Sequence, residues 1–434
     1  MRSPIKKIAT RLLSGELSTS PSVNIPAREA WRSELALDRA IPLLCFLASC
    51  LIGLNLIATK AFPSAFDELE HISYAAFLQE TGRLLPKFEE QRTLSVEDLG
   101  RWNDRPNYLG HPSPFYLFES LFLDRTLAPD RAIRLPRLTS AGLLFVGVAV
   151  SLWAGWRHFG RNRVALSVFC LALALCPKLL AVSGQVTNDS LAFLGGALAY
   201  CGASMNERRR WPGLATVALG LTFALWSKPN AGLAVGAWLG VFAMRGALHR
   251  SGLLLALAAG LAVGAIPYWF IVKDYGALVP VTVEQFGNVS QLESFASYLP
   301  AFLLTVGSTW SFSQTGIWPM TSPADLAAAG LFWAMIACAV LGGIIALRRG
   351  WTAGHAIAAA APVAFALVLP IHLWFAAAKL GYSLPAASFR YYLPLWPPLA
   401  HTLAYAIAAA RIPWHRLVIA SISIAVLVIG WISP

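Results

Sequence analysis

The chain has 434 residues, of which 57% are hydrophobic and only 13% are charged, and its formal net charge is +12. Soluble domains average about 25% charged residues, so this composition excludes an ordinary soluble protein and indicates a polytopic membrane protein. The basic residues are dispersed over many loops, which argues against nucleic-acid binding, because that activity needs a gathered basic surface.

Apolar segments recur along the whole chain. Because ~20 apolar residues span a bilayer, we predict an all-α fold with about eleven transmembrane helices. They lie at residues 41–58, 138–156, 164–183, 188–204, 213–228, 229–244, 252–272, 326–347, 356–376, 390–410 and 416–433. Lys228-Pro229 interrupts one long apolar run, which is either two short helices or one kinked helix. The run 299–306 is too short to span and is predicted to be interfacial or re-entrant.

The distribution of Lys and Arg predicts the orientation. With the amino terminus in the cytoplasm, residues 1–40 form an inner tail and 41–434 form the transmembrane domain. Twelve basic residues then lie in or beside the short inner loops, and Glu207 is the one acid there. Two long segments, 59–137 and 273–325, face outward. The first carries twelve of the twenty-two acids and is expected to form helices over the bundle.

An acidic cluster follows the first predicted span. Asp67, His71 and Tyr74 are spaced i, i+4, i+7, so a helix places them on one face. Glu68 and Glu70 lie in the same turn. A carboxylate, an imidazole and a phenol side by side at a membrane boundary suit proton movement during group transfer.

A structural alternative exists for Asp67. Ser64 and Asp67 have the spacing of a capping box, and the helix is predicted to run to about Thr81, where Gly82 ends it. Capping explains one acid. It does not explain why three more ionisable residues occupy the same turn.

Further along the outer segment, His111-Pro112 begins a short amphipathic stretch at 114–123 that carries Tyr116. The alternative is an interfacial helix that floors the outer domain, with His111 as a turn residue.

These motifs, in this order, resemble the GT-C superfamily of membrane glycosyltransferases, which includes protein O-mannosyltransferases and the lipid A aminoarabinose transferase. The resemblance covers about residues 40–410 in scattered short motifs. They are Asp67-Glu68 after the first span, His71 and Tyr74, residues 82–86, the His-Pro-x-Pro-x-Tyr stretch 111–116, Thr187-Asn188-Asp189, Lys228-Pro229 and residues 388–397. Larger members carry a soluble carboxy-terminal outer domain that this sequence lacks, which leaves acceptor recognition open.

The resemblance implies an inverting transfer of a sugar from a polyprenyl-phosphate donor to a glycan or lipid acceptor, at the outer face of a bacterial inner membrane. It places the catalytic base on Asp67, with Glu68 and His71 as further catalytic candidates. Tyr74, His111, Tyr116 and Trp310 are the substrate-binding candidates. For Trp310, an aromatic belt residue is the competing interpretation.

The departing phosphate needs cations. Lys178, Lys228 and Arg390 with Tyr391 are the candidates. The alternatives are snorkelling to the headgroups for Lys178, a tight turn for Lys228 and an aromatic-belt anchor for Arg390.

Asp189 is a candidate to assist a divalent cation, Mg²⁺ or Mn²⁺, beside Asp67, although no sequence segment supplies a complete metal cage. Helix capping is its structural alternative.

Two rival functions remain open at this stage. A transporter or lipid-linked glycan flippase is expected to show internal repeats and charged residues at the membrane midplane, and neither is seen here. A non-catalytic scaffold need not place Asp, His, Lys and Arg on one side of the membrane.

Overall fold

The computed structural model describes residues 26–64, 67–85, 87, 90–205, 210–244, 250–280, 294–311, 322–349, 352–384 and 386–410. The chain is mostly helical across these ranges. Most of the predicted inner tail and the predicted span 416–433 lie outside the described residues.

A small β-hairpin lies between the second and the third helix in chain order. The helices are α1 (Pro26–Thr59), α2 (Glu68–Thr81), α3 (Pro114–Ser120), α4 (Pro129–Ala132), α5 (Arg134–Phe159), α6 (Arg163–Ala174), α7 (Pro177–Ser183), α8 (Asp189–Met205), α9 (Arg210–Ser227), α10 (Pro229–Met244), α11 (Arg250–Gly264), α12 (Ile266–Tyr275), α13 (Phe295–Ser308), α14 (Pro323–Arg349), α15 (Ala353–Ala378), a 3₁₀ helix (Phe389–Leu395) and α16 (Trp396–Ala409).

Four helical segments in the described residues are long and apolar enough to cross a membrane: Ala40–Thr59, Pro129–Phe159, Pro323–Arg349 and Ala353–Ala378. Two bent pairs, α6 with α7 at 43° and α11 with α12 at 42°, raise the number to six if each pair is one span. The predicted helical membrane architecture is therefore confirmed, and the count of about eleven spans stays a prediction.

The apolar run around Lys228-Pro229 divides into two helices. Helix α9 ends at Ser227 and α10 begins at Pro229. Proline is favoured at the first helical position, where its missing N–H costs no hydrogen bond. The break leaves Lys228 between two helix ends, where its side chain can reach a third element.

Helix α8 is central in the bundle and packs along α5 and α9. Its small residues allow close approach of neighbouring backbones. A Cβ added at Gly196 would lie 2.1 Å from the carbonyl oxygen of Pro394, so glycine is required where α8 meets the 3₁₀ helix. This contact places the 3₁₀ helix beside the middle of α8.

Residues 59–137 also contain a two-stranded antiparallel sheet that was not predicted. Strand β1 (Arg92–Leu94) pairs with β2 (Trp102–Pro106), with an irregularity in the register between the Arg92 and Leu94 pairs. The strands are too short and too polar to show the alternating pattern on which strand prediction depends. Helix α2 packs against α3 and β1, and this forms a second apolar core beside the main bundle.

The end of the bundle that carries Arg157 and His158 on α5 also carries Arg348 and Arg349 on α14. The ring of His158 packs against Gly354 and lies 4.6 Å from the ring of His401. These contacts join α5, α15 and α16 at one end of the molecule. That end is opposite to the amino-terminal end of α8.

Candidate active site

Asp67 occupies the N-cap position of α2, but its side chain makes no capping hydrogen bond. Its Oδ1 atom instead accepts a hydrogen bond of 2.9 Å from the hydroxyl of Tyr108, and its Oδ2 atom lies 2.5 Å from Nη1 of Arg390. The capping alternative therefore does not account for the direction of this carboxylate. The α2 helix does end as predicted, with Gly82 in the left-handed conformation at φ 65°.

The surroundings keep Asp67 ionised. Burial by itself raises the pKa of Asp67, but the positive charge of Arg390 and the hydrogen bonds from Arg390 and Tyr108 outweigh burial and hold the pKa below its usual range. The side chains of Arg390 and Asp67 remain 25% and 15% exposed, so a ligand can contact both.

Arg390 is held in place by a network around the 3₁₀ helix. The side chain of Ser388 accepts a hydrogen bond from the backbone N–H of Arg390, and the N–H of Phe389 donates to the Thr309 hydroxyl at 2.8 Å. His372 on α15 hydrogen-bonds the hydroxyl of Tyr392 at 2.7 Å. These bonds hold the 3₁₀ helix that carries Arg390 against Thr309 and α15.

Lys228 forms a second ion pair, with Asp189 at the start of α8. Thr187 donates a hydrogen bond to Asp189. The Nδ2 atom of Asn188 donates to the carbonyl of Ser227 at 2.8 Å, which ties the start of α8 to the end of α9. The residues Thr187, Asn188 and Asp189 therefore hold Lys228 in position.

Tyr391 joins the two ion pairs. The Nζ atom of Lys228 lies 5.0 Å and the Cζ atom of Arg390 lies 5.4 Å from the centroid of the Tyr391 ring. A cation this close to an aromatic ring is attracted by the ring's quadrupole. One phenol therefore contacts two of the three predicted phosphate-binding cations.

Lys178, on the short helix α7, is only 2% exposed. A snorkelling lysine keeps its ammonium group in water, so this burial disfavours that alternative. The charges of Arg390 and Lys60 act on Lys178, which places it within electrostatic range of the cluster. No carboxylate in the described part of the chain lies within ion-pair distance of it.

His71, Tyr74, His111 and Tyr116 come together beside Asp67. The Nδ1 atom of His71 and the hydroxyl of Tyr116 are hydrogen-bonded at 2.9 Å, and the hydroxyl of Tyr74 donates to the carbonyl of His111 at 3.0 Å. The rings of Tyr74 and Tyr116 stack at 4.1 Å. Burial lowers the pKa of His71 and lowers that of His111 to about 3, so both imidazoles are neutral at pH 7.

Glu68 makes a different set of contacts from its neighbour Asp67. Its two oxygens accept hydrogen bonds of 2.8 Å from Nε and Nη2 of Arg137, one of 3.0 Å from the N–H of Val186 and one of 2.7 Å from that of Ser64. The side chains of Arg137 and Glu68 are 2% and 0% exposed. This saturated geometry favours a structural role for Glu68 over the predicted catalytic one.

Trp310 lies in the packed interior. Its ring is 6.5 Å from that of Phe332 and 6.3 Å from that of Trp396, and the residue is 6% exposed. The described ring contacts of Trp310 are with these core residues, so we assign it to the packing that supports the cluster.

The donor set fits a divalent cation poorly. Asp67 and Asp189 each direct an oxygen at a basic side chain, which competes with a metal for the same atom. Within the described ranges, no three His, Cys, Asp or Glu side chains group as a metal site would require.

Several residues of the site were absent from the predicted set. Tyr108 bonds Asp67, and Arg137 holds Glu68. Lys60 donates to the carbonyl of Ala181 at 2.8 Å. Arg137 and Lys60 flank apolar spans, where a charged residue is a functional or structural signal. Tyr108 gave no comparable signal, because its partner is distant in the sequence.

Comparisons with known proteins add little. No family model matches the chain, and no curated protein matches it. A crystal structure of ArnT from Cupriavidus metallidurans in the apo state is similar, with 15% sequence identity over 84% of this chain and 76% of that chain, at a TM-score of 0.42. A likeness this distant carries no argument about this chain, so the proposals below depend on the site itself and on the sequence motifs.

Proposed function

We propose that this protein is an inverting membrane glycosyltransferase that moves a sugar from a polyprenyl-phosphate donor to a glycan or lipid acceptor. The proposed location of the reaction is the periplasmic side of a bacterial inner membrane. The basic loops lie at the bundle end opposite the site, which supports this orientation.

The observation that carries the proposal is the gathering of three basic side chains beside Asp67. Lys178, Lys228 and Arg390 converge there; Asp189 pairs with Lys228 and Asp67 pairs with Arg390, and no carboxylate of the described residues pairs with Lys178. Buried charges are costly unless they are paired. A bound anion would supply the missing partner for the third cation.

The hydrogen-bonding groups of Arg390 support a phosphate as that anion. Its Nε atom is buried and has no hydrogen-bond acceptor among the described residues. A guanidinium binds phosphate through two parallel N–H donors, of which Nε is commonly one. A phosphate at this position would use a donor that the protein itself leaves unsatisfied.

A donor phosphate bound at Arg390 is also well placed for glycosyl transfer. With the donor phosphate on Arg390, the anomeric carbon lies next to Asp67. An acceptor hydroxyl oxygen attacks that carbon, the bond from carbon to the phosphate oxygen breaks, and the phosphate keeps the electron pair. The proton of the hydroxyl passes to the carboxylate of Asp67. The cations stabilise the negative charge that develops on the leaving phosphate.

Transfer and transport are separated by an assay in detergent, where no membrane divides two compartments. Purified protein is mixed with radiolabelled hexose and pentose donors on defined polyprenyl phosphates and with envelope glycan or lipid acceptors. We expect label to move to an acceptor and free polyprenyl phosphate to form. Donors that stay intact in detergent but cross the membrane of proteoliposomes would instead establish the transporter or flippase.

A further inference from the structure

We propose that Glu70 is the second proton carrier of this site, taking the proton that Asp67 receives from the acceptor and passing it to solvent. This role rests on the proposed function, because it concerns the proton that glycosyl transfer releases. Glu70 is a relay residue here and does not itself contact the substrate.

The first support is the position of Glu70. It lies three residues after Asp67 on α2, so the two side chains are neighbours on the helix surface. The stretch formed by the end of β2 and the residues after it contacts both acids. Tyr108 donates to Asp67, Asn107 donates to the backbone carbonyl of Glu70, and Arg105 lies 2.7 Å from its carboxylate.

The second support is an unsatisfied atom. Glu70 is 1% exposed, and its Oε2 atom has no hydrogen-bond partner in the described part of the structure. A buried carboxylate oxygen without a donor is costly when ionised. Accepting a proton removes that cost, so this oxygen is suited to receive one.

The two carboxylates differ in proton affinity in the direction that a relay needs. The charges facing Glu70 are Asp67 on its own helix and Arg105 on β2, with the Tyr108 hydroxyl nearby. Burial raises the pKa of Glu70 to about 7, and the negative charge of Asp67 adds to that effect. The pKa of Asp67 is held below its usual range. A proton on Asp67 therefore moves downhill to Glu70.

An exit follows from the partner of Glu70. The side chain of Arg105 is 59% exposed, so the pair Arg105–Glu70 reaches the protein surface. The proton count balances for each turnover. The acceptor hydroxyl loses one proton, Asp67 and then Glu70 hold it, and solvent takes it where Arg105 reaches the surface. The lipid phosphate leaves with the electron pair of the broken bond.

The test compares wild type with Glu70→Gln, which keeps the size of the side chain and cannot carry the proton. The relay requires ionised Glu70, so wild-type turnover should rise with pH through about 7. We expect Glu70→Gln to lose this rise in turnover with pH. Above about pH 7 the variant should turn over ~10- to 100-fold more slowly than wild type. Imidazole buffer, a small diffusible base, should restore part of its rate and leave wild type unchanged.

The control is Glu80→Gln, at an exposed acid of the same helix that pairs with Arg125. It should keep the wild-type pH profile. Wild-type transfer with an unaltered profile in Glu70→Gln, or a slow variant with no buffer rescue, overturns the relay and leaves the proposed function standing. Absence of transfer by wild type overturns the proposed function instead.

Discussion

Two adjacent acids, Asp67 and Glu68, each pair with an arginine, and the pairs differ in everything else. Glu68 and Arg137 are almost fully buried, and both oxygens of Glu68 are saturated by protein donors. Asp67 and Arg390 are partly exposed, and the Nε atom of Arg390 lacks an acceptor among the described residues. Consecutive residues on one helix thus form a closed pair and an open pair.

The difference shows that an ion pair alone does not identify a functional acid. The closed pair joins the start of α2, the loop after α1 and the start of α5, through hydrogen bonds from Arg137 to the carbonyls of Lys60 and Ala61. Its geometry leaves no atom for a ligand. The open pair can exchange its protein partner for a substrate group, which is what binding and catalysis require.

The largest expected effect is on turnover at the open pair. Asp67→Asn keeps the size of the side chain and cannot accept a proton as a carboxylate does. General-base assistance contributes ~10²- to 10⁴-fold in rate, so we expect a loss of at least 100-fold with expression retained. Turnover is measured on monodisperse protein, and Asp98→Asn in the surface loop before β2 serves as control. Near-normal turnover would return Asp67 to the role of a helix-terminal residue.

The closed pair should respond in stability. Glu68→Gln leaves Arg137 as a buried charge without its partner, and breaking such a pair costs about 3–5 kcal/mol. In the pair Glu80–Arg125 the Glu80 side chain is 53% exposed, and such a solvated pair is expected to contribute about 0–1 kcal/mol, so Glu80→Gln is the control. Thermal unfolding in detergent measures both. If Glu68→Gln is as stable as wild type and has lost its activity, Glu68 belongs to the chemistry and the contrast fails.

A smaller loss of activity is expected when the shape of a cation is changed and its charge is kept. Arg390→Lys keeps the charge but loses the planar fork, and we expect a ~10- to 100-fold loss in kcat/KM. Lys228→Arg also keeps the charge, and its loss should be smaller, because a lysine acts as a point charge. Steady-state kinetics on the two variants make the comparison. Equal losses would remove the argument that the guanidinium binds phosphate through two donors.

The sequence predicted which residue types would matter better than it predicted their partners. Helical spacing placed Asp67, His71 and Tyr74 on one face because that information is local. The pairing of Asp67 with Arg390 was not predicted, since the two residues are distant in the chain.

Glu68 shows most clearly what the sequence could not predict. In the sequence Glu68 is a further catalytic candidate beside Asp67, because both are acids next to a predicted membrane span. Only the packing of Arg137, Val186 and Ser64 around it distinguishes the two roles. Burial and saturation depend on tertiary contacts that no local pattern encodes.

Equilibrium binding of a polyprenyl phosphate without sugar tests the central claim most directly. Arg390→Ala should weaken binding ~10- to 100-fold, whereas Arg125→Ala, which removes an arginine paired with Glu80 away from the site, should bind as wild type does. Asp67→Asn should bind more tightly than wild type, because it frees Arg390 from its carboxylate partner. Wild-type affinity in Arg390→Ala, or weaker binding in Asp67→Asn, would contradict the account.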